Sequence, residues 1–365
     1  MKAMNIGDVQ GGIVEEKMEE QGIDFVIAWV NGNDPEWHNR KKAYTEMNIS
    51  DFSTDNTIDS AEERYRDWGF LPYWFRSVAA FAPWVRKVWL ICDQNPPEWL
   101  NQECDRLTVV RHEDYLPGEY RPAFSSHPIE LNLHRIEGLS ERFVYFNDDM
   151  FLLLPVREDF FFRNGLPTDA AVLSPVPTTA LKLGRSRIFT IPLNNMEYLN
   201  RDYDFHSCIR KNFRKWICLS YGKDLLKNLL MVAWPRFTGF YEFHLPQPFL
   251  KKTFEEAWKQ DWDVLDATSR HPIRNDLDVN QWLIREHQLA EGWFEPRSSR
   301  VGKDFPLDAE YEDAEEAIRG QKWPMICLND APMSQNEFEN RKQQILIAFQ
   351  SILPDPCIFE KESNG

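Results

Sequence analysis

The sequence predicts an α/β protein: a mostly parallel, Rossmann-like sheet with a mostly helical subdomain inserted after the fourth strand. Three observations point there. Apolar runs of strand length at 23–30, 87–92, 107–110 and 142–146 alternate with stretches of helical periodicity. The runs are continuous, as expected for strands covered on both faces. From about 155 to 240 the texture changes to aromatics, Arg and repeated Pro, which marks the insertion.

The first strand, Ile23 to Val30, stops at Asn31-Gly32-Asn33-Asp34-Pro35, which is turn chemistry. Residues 38–66 are polar and read as a helix followed by a loop. Leu71, Trp74, Phe75 and Val78 recur at helical spacing between Gly69 and Ala82, and Pro83 ends that helix. Lys87–Cys92 forms a second strand that closes on Asp93-Gln94-Asn95, and Leu107–Val110 a third. A helix is expected at His127–Ile136. The fourth strand, Arg142–Phe146, runs into Asn147-Asp148-Asp149, with more apolar residues to Leu154. Later helices are expected at Phe254–Trp262, Asp278–Glu291 and Gln335–Ile352. Trp323–Leu328 is a late strand ending on Asn329-Asp330. Residues 1–22 read as a flexible N-terminus, and 23–365 as one catalytic domain containing the insertion.

The chain has 365 residues, 42% of them hydrophobic, enough to bury a full core. Its 42 basic and 58 acidic residues give a net charge of −16. That argues against nucleic acid as a partner, since such binding runs on clustered Lys and Arg. No run is long and apolar enough for a membrane span, and the first twenty residues lack an apolar signal core. The expected location is the cytoplasm, with peripheral attachment to the inner membrane as the alternative. The six scattered cysteines form no CxxC pair and read as buried thiols. The Asn48 sequon carries no weight without export. No GxGxxG, GxxxxGK[ST], HExxH or GxSxG motif stands in a suitable context, which argues against several large enzyme classes.

What remains is a set of carboxylates, amides, His and Arg at strand ends. In open parallel sheets, ligands bind beyond the carboxyl ends of the strands. Asp148 and Asp149 follow a buried strand, where two adjacent acids need compensation. Mg²⁺ or Mn²⁺ suits such oxygen ligands, and nucleotide-sugar transferases of the A-type fold hold their metal this way. Asn329 and Asp330 complete the same shell if their strand neighbours the fourth. Arg270 and Arg274 flank His271 and offer forks for phosphate oxygens. His127, His134 and His244 are the acid–base candidates, and the prolines after His244 stiffen its backbone.

These segments, in this order, resemble the Stealth family of hexose-phosphate transferases. The resemblance rests on four blocks: Ile23 to Pro35; Arg64-Tyr65-Arg66-Asp67 through Ser125-Ser126-His127-Pro128 to Asp149; His244-Leu245-Pro246 with Thr268 to Arg274 and Asp278-Val279-Asn280; and Cys327-Leu328-Asn329-Asp330. It implies a nucleotide-sugar transferase sheet like that of the A-type glycosyltransferases. The implied reaction moves a hexose(NAc)-1-phosphate from a UDP-sugar to a hydroxyl of a glycan acceptor, as in capsule polysaccharide synthesis, and releases UMP. Asp148, Asp149, Asp330 and Asn329 are then expected at the metal, and Asn31, Gly32, Asp34, His134 and Arg135 at the nucleotide-sugar. Arg270 and Arg274 are expected to stabilise charge on phosphorus, with His244 as base and His127 as the second choice. The alternatives are a metal-dependent glycosyltransferase releasing UDP, and a non-catalytic sugar-binding protein.

Overall fold

The structure is a computed structural model in which residues 22–47, 66–176 and 186–362 are described. The first twenty residues, the Asn48 sequon and Arg64-Tyr65 lie outside the described residues. The strands, in chain order, are β1 (Ile23–Ala28), β2 (Lys87–Ile91), β3 (Leu107–Val110), β4 (Arg142–Asn147), β5 (Met150–Leu152), β6 (Phe162–Arg163), β7 (Leu166–Asp169), β8 (Gln247–Leu250), β9 (Glu295–Pro296), β10 (Gly302–Pro306) and β11 (Met325–Asn329).

The main sheet has the order β3-β2-β1-β4-β8. Its first four strands are parallel and β8 runs antiparallel to β4. The continuous apolar runs divide between two layers, as the two-residue period of a strand requires. Phe25, Ile27, Val88, Leu90, Val144 and Phe146 enter one core, and Val26, Trp89, Ile91, Phe143 and Tyr145 the other. Asp24 is the exception within β1. Its buried carboxylate accepts from Arg86 Nε (2.7 Å), Trp89 Nε1 (2.8 Å) and the Ser140 amide (2.9 Å), which offsets its desolvation.

The helix Leu71–Phe81 covers one face, burying Leu71, Trp74, Phe75 and Val78. On the other face lie Ser126–Leu131, Lys251–Gln260 and Gln281–Glu291, where the sequence pattern predicts helices with slightly different ends. Ser334 and Glu337 cap the terminal helix Gln335–Ile352 reciprocally. Five strands escape the pattern: β6, β7, β8, β9 and β10. β8 contains Pro248, which cannot donate to a ladder, and it sits at the sheet edge where no donor is needed. β10 is short and partly exposed.

The late strand β11 pairs with β5 and β10, so it does not neighbour β4, the condition on which Asn329 and Asp330 would complete the metal shell. It still reaches the end of β4, because the chain reverses at Asp148-Asp149 into β5, and the Leu328 amide donates to the Asp149 carbonyl (2.8 Å).

Between 155 and 240 the described residues form β6, β7 and several helices around a third core containing Trp216, Phe237 and Phe240. Arg285 fastens this region to the rest. Its guanidinium donates to both oxygens of Asp169 (2.8 and 2.9 Å), with both side chains buried. Gly292 ends the helix Gln281–Glu291 at φ 75°, and a Cβ there would stand 2.2 Å from Asn212 Oδ1.

Candidate active site

Ala28 is level with both Ile91 and Asn147 in the parallel register, so the segments after β1, β2 and β4 emerge together at one edge. They open into a cleft of about 560 Å³. Trp29 and Val30 supply one wall, Asp93 and Gln94 another, and Asn147, Asp148 and Asp149 the floor; His244, Arg274, Asn329 and Asp330 also line it.

The turn after β1 is locked from the side. Gln94 Nε2 donates to the Asn31 carbonyl (3.0 Å) and to Asp34 Oδ2 (2.9 Å), and the Asn31 amide donates to Gln94 Oε1 (2.6 Å). Asp34 also caps the helix Pro35–Met47, accepting from the Glu36 amide (2.9 Å). Desolvation pushes its carboxyl up, but the bonds from Gln94 and the backbone outweigh this and hold it below the usual range. His38 Nε2 lies 2.8 Å from the Gly32 carbonyl. Asn31, Gly32 and Asp34 thus shape the wall, while Trp29, Val30 and Trp37 face the space.

His134 and Arg135, expected at the nucleotide-sugar, stand away from the cleft in the second core layer. His134 packs beside Phe254 and Trp258, and Arg135 lies 4.7 Å from the Trp258 ring and donates to Asn132 Oδ1 (2.8 Å). Burial, then the Arg135 and Lys251 charges, pushes the His134 imidazole down to about 3. It is a neutral packing group.

The two arginines part company at a helix end. Arg270 closes the helix Trp262–Ser269 and pairs one turn back with both oxygens of Asp266 (2.8 and 3.0 Å), on the surface. It does not line the cleft. Arg274, beyond the helix, turns in, and its Nη2 donates to Ser126 Oγ (3.3 Å). Between them His271 Nδ1 meets Asp278 Oδ1 (2.6 Å), while His127 Nδ1 meets Asp278 Oδ2 (2.9 Å). His127 is almost fully buried and secures the Arg274 loop; it does not reach the cleft.

At the floor, one oxygen of Asp149 is buried with no hydrogen-bond partner. Asp148 looks onto the cleft. The protein around it, then the neighbouring Asp149 charge, pushes its carboxyl up to about 7, an effect that cleft water moderates. An orphaned carboxylate oxygen beside a second acid is a set of hard donors that fits a divalent cation. Asn329 and Asp330 do not fit that shell as arranged. Both Asp330 oxygens accept from Arg66 (3.1 and 2.9 Å), and Asn329 Oδ1 lies 2.7 Å from His244 Nδ1.

That last contact sets the tautomer. An amide oxygen only accepts, so His244 carries its proton on Nδ1, which leaves Nε2 as the basic nitrogen, 3.4 Å from Asn147 Nδ2. Cys327 Sγ is 3.3 Å from the same Nδ1. Burial and the nearby Asp149 push its thiol well above the usual range. His244 also lines a second cavity, of about 730 Å³, together with Tyr241, Phe243, Lys223, Lys227 and Arg300. Arg66 stands in a block of the family resemblance and Gln94 in a strand-end turn, but the sequence assigns neither a role. Their partners stand 264 and 63 residues away.

Comparison with known proteins matches the first two of the four blocks, in order. Residues 22–49 match conserved region 1 of the Stealth proteins, and residues 64–169 match conserved region 2. The chain is 38% identical over 342 residues to a capsular polysaccharide phosphotransferase, WcwK, of Streptococcus pneumoniae, covering 93% of this chain and 98% of that one. It is 38% identical over 344 residues to the receptor polysaccharide phosphotransferase WefC of Streptococcus gordonii, with the same coverage of both chains. It is 36% identical over 340 residues to the exopolysaccharide phosphotransferase cps2G of Lactiplantibacillus plantarum, covering 93% of this chain and 96% of that one.

Proposed function

Because this chain belongs to the Stealth family and is a phosphotransferase, we propose that it transfers a hexose- or N-acetylhexosamine-1-phosphate from a UDP-sugar to a polysaccharide hydroxyl. The acceptor oxygen attacks the β-phosphorus, the bridging bond to UMP breaks with its electron pair on UMP, and the acceptor proton leaves to a base. The product is a phosphodiester. The observation that carries this reading is one cleft holding an acidic pair with an orphaned oxygen, an inward guanidinium, and an imidazole with one nitrogen tied down.

Each group suits one need of the reaction. The strand ends of a Rossmann-like sheet suit a nucleotide. Asp148 and Asp149 would hold Mg²⁺ or Mn²⁺, which would offset diphosphate charge. Arg274 faces developing charge on the phosphoryl oxygens. His244 Nε2 receives the acceptor proton, and Asn329 keeps the ring in that tautomer. The acceptor approaches from the second cavity. Tyr241, Phe243 and Trp323 offer faces for sugar rings there, and Lys223, Lys227 and Arg300 suit a chain already carrying phosphodiesters.

Incubation with a panel of UDP-sugars, a polysaccharide acceptor and Mg²⁺ or Mn²⁺ tests the reaction class. UMP is the expected product. UDP would make the protein a glycosyltransferase, and donor binding without either nucleotide would make it a sugar-binding protein.

The two arginines separate cleft from surface. Arg274→Lys replaces a fork with a point charge and is expected to lower turnover about tenfold or more, on the order of 1.4 kcal/mol in the barrier. Arg270→Lys should stay within about twofold, because a surface pair contributes little. Steady-state UMP release measures both. Equal losses, or an unchanged Arg274→Lys enzyme, would remove Arg274 from the site.

A further inference from the structure

We infer that the helix Leu225–Met231 and its flanks form a docking surface for an anionic lipid bilayer. The helix is inside out. Its buried residue is Asn228, whose Nδ2 donates to the carbonyls of Ala171 (2.7 Å) and Trp216 (2.8 Å) and whose Oδ1 accepts from the Leu173 amide (2.8 Å). Its leucines face water: Leu226, Leu229 and Leu230 are 61%, 53% and 68% exposed. Their spacing of three and four residues places them on one stripe. Leu219 and Trp234 extend the apolar surface on either side, 87% and 57% exposed. No other stretch of similar length among the described residues exposes as many large apolar side chains.

Charge identifies the occupant. From Arg210 to Arg236 there are seven basic residues and one acidic one, Asp224, in a chain whose net charge is −16. Exposed Leu and Trp among Lys and Arg match an interface with anionic headgroups, where apolar burial and charge attraction act together. A second copy of the chain fits poorly, since a two-fold contact would press two cationic faces together. At seven residues the helix lies on a membrane and does not cross it. Leu226, Leu230, Lys223 and Lys227 also line the second cavity, so a docked molecule would present that cavity to the bilayer. Docking does not depend on the transfer reaction, and vesicle binding and UMP release can fail separately.

The test is co-sedimentation of the full chain with vesicles. One set holds equal parts of phosphatidylcholine and phosphatidylglycerol, and the other phosphatidylcholine alone. The wild type is expected to pellet with the first, weakly with the second, and to be released by high salt. The combined Leu219→Ser, Leu229→Ser, Trp234→Ser variant and the Arg214→Gln, Arg236→Gln variant should each bind roughly tenfold or more weakly. All five positions are exposed and outside both cavities, so circular dichroism and UDP-sugar affinity should be unchanged. No pelleting of the wild type with anionic vesicles, or unchanged pelleting of both variants, would overturn the inference. So would a dimer in light scattering that the apolar substitutions dissolve.

Discussion

Replacing His244 with Ala is expected to lower turnover by roughly 10²- to 10⁴-fold while UDP-sugar affinity stays within about twofold. A sugar hydroxyl is a poor nucleophile near neutral pH, and the group that takes its proton must stand opposite the leaving UMP. His244 lines both cavities, so it can meet an acceptor coming from one and a donor held in the other. Its Nδ1 donates to Asn329 Oδ1 at 2.7 Å, so in the neutral ring Nε2 is the nitrogen with the lone pair. Asn329→Ala should therefore lower turnover as well, by a smaller factor, because the ring loses its orientation and not its nitrogen. Donor affinity by calorimetry and turnover by UMP release read the two halves separately. Survival of turnover in His244→Ala, or loss of donor binding with it, would show that His244 is not the base. The buried His127 is a poor substitute, since Asp278 holds its Nδ1 at 2.9 Å and it does not line the cleft.

The second large effect concerns the acidic pair. Asp149→Asn is expected to lower turnover by about 100-fold or more, as loss of a metal ligand beside a transferring phosphoryl group should. Asp149 keeps a buried oxygen with no hydrogen-bond partner, and the protein surroundings and the Asp149 charge push Asp148 up to about 7. Like charges so close are unfavourable without a cation. Mg²⁺ or Mn²⁺ should thus raise the melting temperature of the wild type, because a ligand that binds only the folded state stabilises it. The same ions should not raise that of Asp149→Asn, whose metal-free form should be no less stable than the wild type. Full activity in excess chelator, or an equal thermal shift in the variant, would contradict metal binding at this turn.

Much of the fold is legible in the chain because a parallel sheet leaves a plain trace. Ile23–Ala28, Lys87–Ile91 and Arg142–Asn147 are buried on both faces, so each is nearly continuously apolar and ends in recognisable turn residues, while the edge strand Leu107–Val110 is half-buried in its middle and shows only by its short apolar run. β8 hides behind Pro246 and Pro248, since edge strands tolerate what central strands do not. The pairing of β11 with β5 is invisible because nothing in an apolar strand names its neighbour.

The site divides the same way. Strand-end acids and amides show themselves by position, which brings Asp148, Asp149, Asn329, Asp330 and His244 to one cleft. Function within that cleft depends on partners far along the chain. Asp330 reads as a spare carboxylate until Arg66 is seen on both its oxygens, and Asn329 as a ligand until it is seen holding His244. Arg270 and Arg274 look equivalent in sequence, and only the end of the helix Trp262–Ser269 sends one to the surface and the other inward. Leu225–Met231 would pass for a buried helix, since its inversion rests on Asn228 finding three buried backbone partners.

The fate of the β-phosphorus tests the proposed reaction most directly. A UDP-sugar radiolabelled at that atom is incubated with the enzyme, metal and polysaccharide acceptor, and the polymer is separated from free nucleotide. Transfer of the sugar phosphate predicts label in the polymer, resistant to phosphomonoesterase, with unlabelled UMP in solution. Label recovered as UDP, with an unlabelled sugar added to the polymer, would contradict it.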